Sequence, residues 1–355
     1  MSDRCLPPAF GRGLPLVLAL LGAACDIPTE APQWDTQWTV PADSAHIDVS
    51  ELLPATVGVT PDGTAFTITV PPVAFSQTLG DMCSACPPAA VAPKPAFQTT
   101  FEDVTNLPAD VSSVTTRTAS ADISLTNDFS FDPIRPGGSE TGELRLEIRD
   151  GDGSGPVVAE LTVDGATDSI PPGSTYMATL DLDAKTFGDI LTAVVFIASP
   201  SGPSVLLTSS DEFSVDVSPS EVLVDEAVVA LIDQAVDIDP VSLDAEDIPE
   251  EIIERLEGGA LVLEVDNPFA VEADLDLQIS GPGFAPIQKD VEVGQGASEE
   301  MVELTAAELR SFLGQPNVSF EGSGAASAPS GTTAVRADQV LRFRANIQLT
   351  VRVGS

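Results

Sequence analysis

The chain has 355 residues, 43% of them hydrophobic, with 55 acidic against 15 basic side chains and a formal net charge of −40. This length and apolar content support more than one buried core, and a charged fraction of only 20% excludes wholesale disorder. The charge excludes nucleic acid as a partner, since no basic surface is present to neutralise phosphates, and one histidine with four cysteines leaves little imidazole or thiolate chemistry.

Arg4 and Arg12 precede an apolar run from Leu14 to Ala24 that ends in small residues before Cys25. The run is too short to cross a bilayer as a helix and fits the core of a secretory signal over residues 1–24. The string Leu21-Gly22-Ala23-Ala24-Cys25 resembles the bacterial lipobox, which implies a lipidated Cys25 and a membrane partner reached through that lipid. Gly22 stands where the lipobox has an aliphatic residue, so cleavage after Ala24 without lipid is the alternative. Cys5 leaves with the signal, and Cys83 and Cys86 remain as an even pair in a compartment where disulfides persist. The expected location is extracytoplasmic and membrane-anchored.

Residues 25–45, rich in Pro, Thr and Asp, are expected as a tether, although Trp34 to Val40 can pair as a strand. Residues 46–107 form an N-terminal β-rich region, in which Val57, Val59, Phe66, Ile68 and Val70 flank the turn Pro61-Asp62-Gly63. Period-2 alternation continues in Ile123, Leu125, Phe129 and Phe131, in Leu144, Leu146 and Ile148, and from Leu341 to Val353. Short helices are predicted from Asp247 to Gly258 and after the capping box Thr305-Ala306-Ala307-Glu308, with Gly314 as the stop. Val222 to Ile238 reads as strand, with an Ala-rich middle that also suits a helix.

An internal repeat organises these elements. Pro108-Ala109-Asp110-Val111 leads to Asn127-Asp128-Phe129, as Pro249-Glu250-Glu251-Ile252 leads to Asn267-Pro268-Phe269. Leu180 to Leu191 matches Val302 to Leu313, and Ser199-Pro200-Ser201-Gly202 matches Ala328-Pro329-Ser330-Gly331. The copies are read as 108–217 and 249–355, joined by an acidic connecting segment over 218–248. The expected fold is mainly β, with tandem antiparallel β-sandwich domains of immunoglobulin-like or WHy-like type and short connecting helices. Asn267-Pro268-Phe269, followed by alternating Val271, Ala273, Leu275, Leu277 and Ile279, resembles the WHy sandwich of late-embryogenesis-abundant proteins. That resemblance implies a non-catalytic fold linked to stress protection.

Three features are candidate sites. Cys83-Ser84-Ala85-Cys86-Pro87-Pro88 has no second ligand pair for zinc and no helix to follow it, so a structural disulfide is expected in place of redox or metal chemistry. Asp150-Gly151-Asp152-Gly153-Ser154-Gly155 resembles the start of a calcium loop, but Leu161 occupies the position of the closing glutamate. Asp150 and Asp152 are therefore candidate Ca²⁺ ligands against the reading of a plain hairpin turn. The span 221–257 holds 13 acids against Arg255 alone and reads as a solvated face. Arg342, Arg344 and Arg352 are expected opposite acidic faces such as Glu272, Asp274 and Asp276. His46 lacks a nucleophile elbow or Gly-rich oxyanion motif, which leaves hydrolase chemistry as the least supported reading. The leading expectation is a non-enzymatic envelope protein that binds or scaffolds an envelope protein or surface ligand, without a cofactor. The alternative is a Ca²⁺-dependent adhesion or glycan-binding module.

Overall fold

A computed structural model describes residues 33–137 and 139–354. The expected signal over 1–24 and Cys25 lie outside the described residues. The chain opens with strand β1 (Trp34–Asp48), helix α1 (Val49–Leu52), and the hairpin of β2 (Val57–Val59) and β3 (Phe66–Ile68). Next come β4 (Val73–Thr78), α2 (Leu79–Met82), β5 (Ala89–Lys94), β6 (Phe97–Asn106), β7 (Val111–Thr118) and β8 (Ser120–Asn127). They are followed by β9 (Glu143–Asp150), β10 (Val157–Asp164), β11 (Ser174–Asp181), β12 (Thr186–Gly188), β13 (Ile190–Ser199), β14 (Gly202–Thr208) and β15 (Glu212–Pro219). The remainder is β16 (Val222–Ala230), β17 (Gln234–Leu243), α3 (Glu250–Glu254), β18 (Leu256–Asn267), β19 (Glu272–Ser280), β20 (Ile287–Val293) and β21 (Gly296–Thr305). The chain ends with α4 (Ala306–Phe312), β22 (Val318–Ser327), β23 (Thr332–Arg336) and β24 (Val340–Val353).

The fold is mainly β, with several antiparallel sheets. One four-stranded sheet runs β4-β15-β8-β11 and another β6-β13-β9-β10. They lie against each other: the Phe75 ring on β4 meets the Phe101 ring on β6 edge-on at 5.6 Å. Between them Val73, Ala121 and Val217 face Ile148, Leu191 and Ala193 around a void of about 40 Å³. The eight-stranded sheet contains the same strand order a second time. Its halves run β1-β24-β18-β21 and β17-β22-β19-β20, joined where Ala42 of β1 opposes Leu243 of β17. Taken in chain order, strands 4, 6, 8, 9, 10, 11, 13 and 15 of the first set take the places of strands 1, 17, 18, 19, 20, 21, 22 and 24 of the second. A four-residue helix follows the opening strand in both. The first unit is thus inserted between the first and second strands of the second unit.

This arrangement changes the expected organisation. Most of the expected tether is strand β1, which pairs with β24 from Trp34↔Val353 to Asp48↔Val340, with a bulge between Pro41 and Ser44. The segment 218–248, expected as a connection, forms β16 and β17; β16 joins a sheet with β7, β3, β12, β2 and β23. The repeat also begins earlier than its sequence anchors, at β4 and at β1. Alternation sets the buried faces as expected: Leu341, Phe343, Ala345, Ile347, Leu349 and Val351 of β24 are all buried. Two details differ. β8 stops at Asn127, so Phe129 and Phe131 belong to the following turn. The helix expected from Asp247 to Gly258 spans only α3, with Pro249 at its N-cap position and no side-chain cap, because Leu256 already enters β18 against Val351. The capping box at Thr305 and Glu308 forms as expected.

Candidate functional site

The Asn-x-Phe motifs occupy the same place in both units and make the same bonds. The Asn127 amide donates to Phe131 O at 2.9 Å and Ile170 O at 2.7 Å, while its oxygen accepts from Phe129 N at 3.0 Å. The Asn267 amide donates to Val271 O at 3.0 Å and Gly294 O at 2.9 Å, and its oxygen accepts from Phe269 N at 3.0 Å. Both side chains are buried, at 0% and 3% exposure. Only a primary amide supplies one acceptor and two donors at that point. Each asparagine therefore ties the turn after its strand to a loop from a distant strand, with Phe129 or Phe269 packed in the core.

Cys83 and Cys86 are joined as a disulfide in the loop between α2 and β5, and both are buried. Asp150 and Asp152 are occupied by their own turn and its neighbour. Asp150 Oδ1 accepts from Gly188 N at 2.8 Å, and Asp152 Oδ1 accepts from Ser154 N at 2.9 Å and Ser154 Oγ at 2.6 Å. The bonds from Ser154 hold the Asp152 carboxyl below its usual range. Among the described residues no three His, Cys, Asp or Glu side chains are grouped to hold a metal. His46 is exposed on β1, opposite Arg342.

The acidic side chains spread over solvent-facing strand positions. On β19 and β20, Asp276 sits directly opposite Asp290 and Asp274 opposite Glu292, a like-charge arrangement that destabilises modestly. Lys289 on the same edge strand turns away to pair with Glu308 of α4 at 2.9 Å, which holds that carboxyl below its usual range. The β24 arginines find different acids from those expected. Arg344 meets Glu264 at 3.5 Å and Arg342 lies 4.0 Å from Asp266, both on β18, while Arg352 reaches Glu257 at 3.1 Å and Asp35 at 3.6 Å. The reason is sheet order: β24 lies between β1 and β18, and β19 belongs to the other half of the sheet.

Sequence reasoning missed three buried ionisable side chains, Asp132, Glu147 and Lys94. Glu147, which the alternation of Leu144, Leu146 and Ile148 would turn outward, is buried between Arg145, 2.9 Å away, and Arg149, whose Nε donates to it at 2.7 Å. Lys94 is 1% exposed, and no carboxylate pairs with it among the described residues. Its ammonium donates to Pro200 O and, at 3.1 Å, to Pro95 O. It also sits 4.9 Å from the Phe97 ring centre and 5.2 Å from that of Phe131. Burial pushes its pKa down from 10.5 to about 8. The only hint in the sequence is a lysine between Pro93 and Pro95.

The lowered pKa has a signed consequence. Between pH 8 and 10.5 the unfolded chain binds more protons at this lysine than the folded one, so its contribution to stability rises with pH across that window. Below pH 8 the folded protein carries a desolvated ammonium. The melting temperature of Lys94→Met minus that of wild type is therefore expected to be most positive below pH 8 and to fall towards pH 10.5. A difference that is flat across the window contradicts the assignment.

No family model matches the sequence, and no curated protein matches it. Among solved structures, similarity is found to a Parabacteroides distasonis protein provisionally described as secreted, with 11% identity, a TM-score of 0.30, and coverage of 90% of this chain and 100% of that one. A second likeness is to the Broad Bean Stain Virus structure, with 10% identity, a TM-score of 0.19, and coverage of 77% and 94%. Likeness at this level bears on neither fold family nor function.

Proposed function

We propose that the protein is a non-enzymatic, lipid-anchored component of the bacterial envelope, working outside the cytoplasm as a rigid two-unit β scaffold or binding body. Each eight-strand set is read as one immunoglobulin-like or WHy-like sandwich, supported by the shared strand order and, in the first set, by Phe75 packing on Phe101 between sheets. The observation that carries the reading is the division of the cysteines. Cys83 is bonded to Cys86, as suits an oxidising compartment, and Cys25 ends a lipobox-like string nine residues before β1. Nine extended residues reach at most about 30 Å, so a lipid on Cys25 would hold the second unit close to the membrane. The buried side chains form one continuous apolar cluster, which suits a supporting body better than a reaction vessel.

The test is metabolic labelling with a fatty acid. Wild type is expected to take up label and sediment with membranes, while Cys25→Ala takes up none and stays in the soluble fraction. Equal labelling of both proteins removes the anchor.

A further inference from the structure

The duplication exposes one difference between the units. β5–β14 in the first unit and β16–β23 in the second occupy the same place in the strand order. In the second unit the other edge of β16 is filled by β7, from Leu223 to Val229. In the first unit β5 has β14 along one edge and, among the described residues, no strand along the other.

The free edge can be read atom by atom. Ser209 N donates to Pro88 O at 3.1 Å, at the start of the β5–β14 ladder. Antiparallel alternation then turns the backbone groups of Ala90 and Ala92 towards β14, and those of Ala89, Val91 and Pro93 outwards. The missing N–H of Pro93 thus falls on the open side and costs the ribbon no bond. On the accompanying face Val91, 74% exposed, stands directly opposite Leu206, 52% exposed. Their same-face neighbours Ala89, Pro93, Ser204 and Thr208 carry no charge, on a chain whose net charge is −40.

We propose that this edge pairs with the same edge of a second copy of the chain, β5 antiparallel to β5 about a two-fold axis at Val91. In that register each Val91 N–H donates to the partner's Val91 carbonyl, and each Ala89 N–H donates to the partner's Pro93 carbonyl. Every outward N–H is satisfied, and the absent proline donor leaves only the Ala89 carbonyl facing water. The product is a four-stranded sheet, β14-β5-β5-β14, of isologous type. Two copies meet where neither presents charge, while the rest of their surfaces repel. Salt therefore strengthens the dimer, the reverse of a contact made by ion pairs.

The test uses residues 25–355 with Cys25→Ser, so that the bonded Cys83 and Cys86 are its only cysteines before any is introduced. Sedimentation at ~0.05 M and ~0.5 M sodium chloride is expected to show a dimer share that grows several-fold with salt. Val91→Lys is expected to be monomeric at both salts with an unchanged melting temperature, because this side chain lies outside the core. Paired Cα atoms at such a position are about 5.5 Å apart, within disulfide reach. Val91→Cys is therefore expected to form a covalent dimer on mild oxidation, whereas Met177→Cys, equally exposed on β11, is not. The proposal is overturned if wild type is monomeric at both salts, if Val91→Lys dimerises like wild type, or if Val91→Cys cross-links no faster than Met177→Cys.

Discussion

Asn267→Asp is expected to destabilise the second unit by about 3–5 kcal/mol, the cost of leaving an uncompensated charge in a buried site. The carboxylate keeps the bond from Phe269 N but presents acceptors to Val271 O and Gly294 O, which already need donors. Asn267→Ala is expected to cost less, about 2–3 kcal/mol, because it strands three backbone groups without adding charge. Asn127 sits in the same bonds, so Asn127→Asp should produce the matching loss in the first unit. Urea unfolding provides the measurement. Protonation restores a donor, so the deficit of the aspartate variants relative to wild type should shrink as pH falls. A deficit below about 1 kcal/mol would mean that the amide does not hold the turn.

Ile47→Ala is expected to remove about 2–5 kcal/mol, in a place the linear sequence does not suggest. Ile47 is fully buried on β1 opposite Leu341 of β24, and β1 completes the sheet half that contains β18 and β21. Amide exchange should therefore quicken most in β24 and β18, some two hundred residues or more along the chain. The amides of β4, β8 and β15 should change least. Loss of protection centred on β2 to β4 would contradict the insertion of the first unit into the second.

Period-2 alternation revealed faces without revealing neighbours. Leu341 to Val351 were readable as one buried row because alternation is a property of a single strand. That β1 pairs with β24, at the opposite end of the chain, was not readable, since sheet pairing is non-local and the strand expected at Trp34 to Val40 carried no sign of its partner. The same gap misassigned the acids facing Arg342 and Arg344. The Asn-x-Phe motifs were visible as repeats, and their role followed once the buried amides could be traced. Lys94 was invisible because its burial comes from Phe97, Phe131 and Pro200 on other elements, and Glu147 because the arginines that flank it on its own strand fold over it.

The proposed anchor and compartment both rest on the cysteines, and the intact mass of the protein from a membrane extract tests them together. The expected species begins at Cys25, carries the added mass of a diacylglyceryl group with or without N-acylation, and lacks two hydrogens for the Cys83–Cys86 bond. A chain that retains residues 1–24, or that shows both thiols free, would contradict an anchored extracytoplasmic protein.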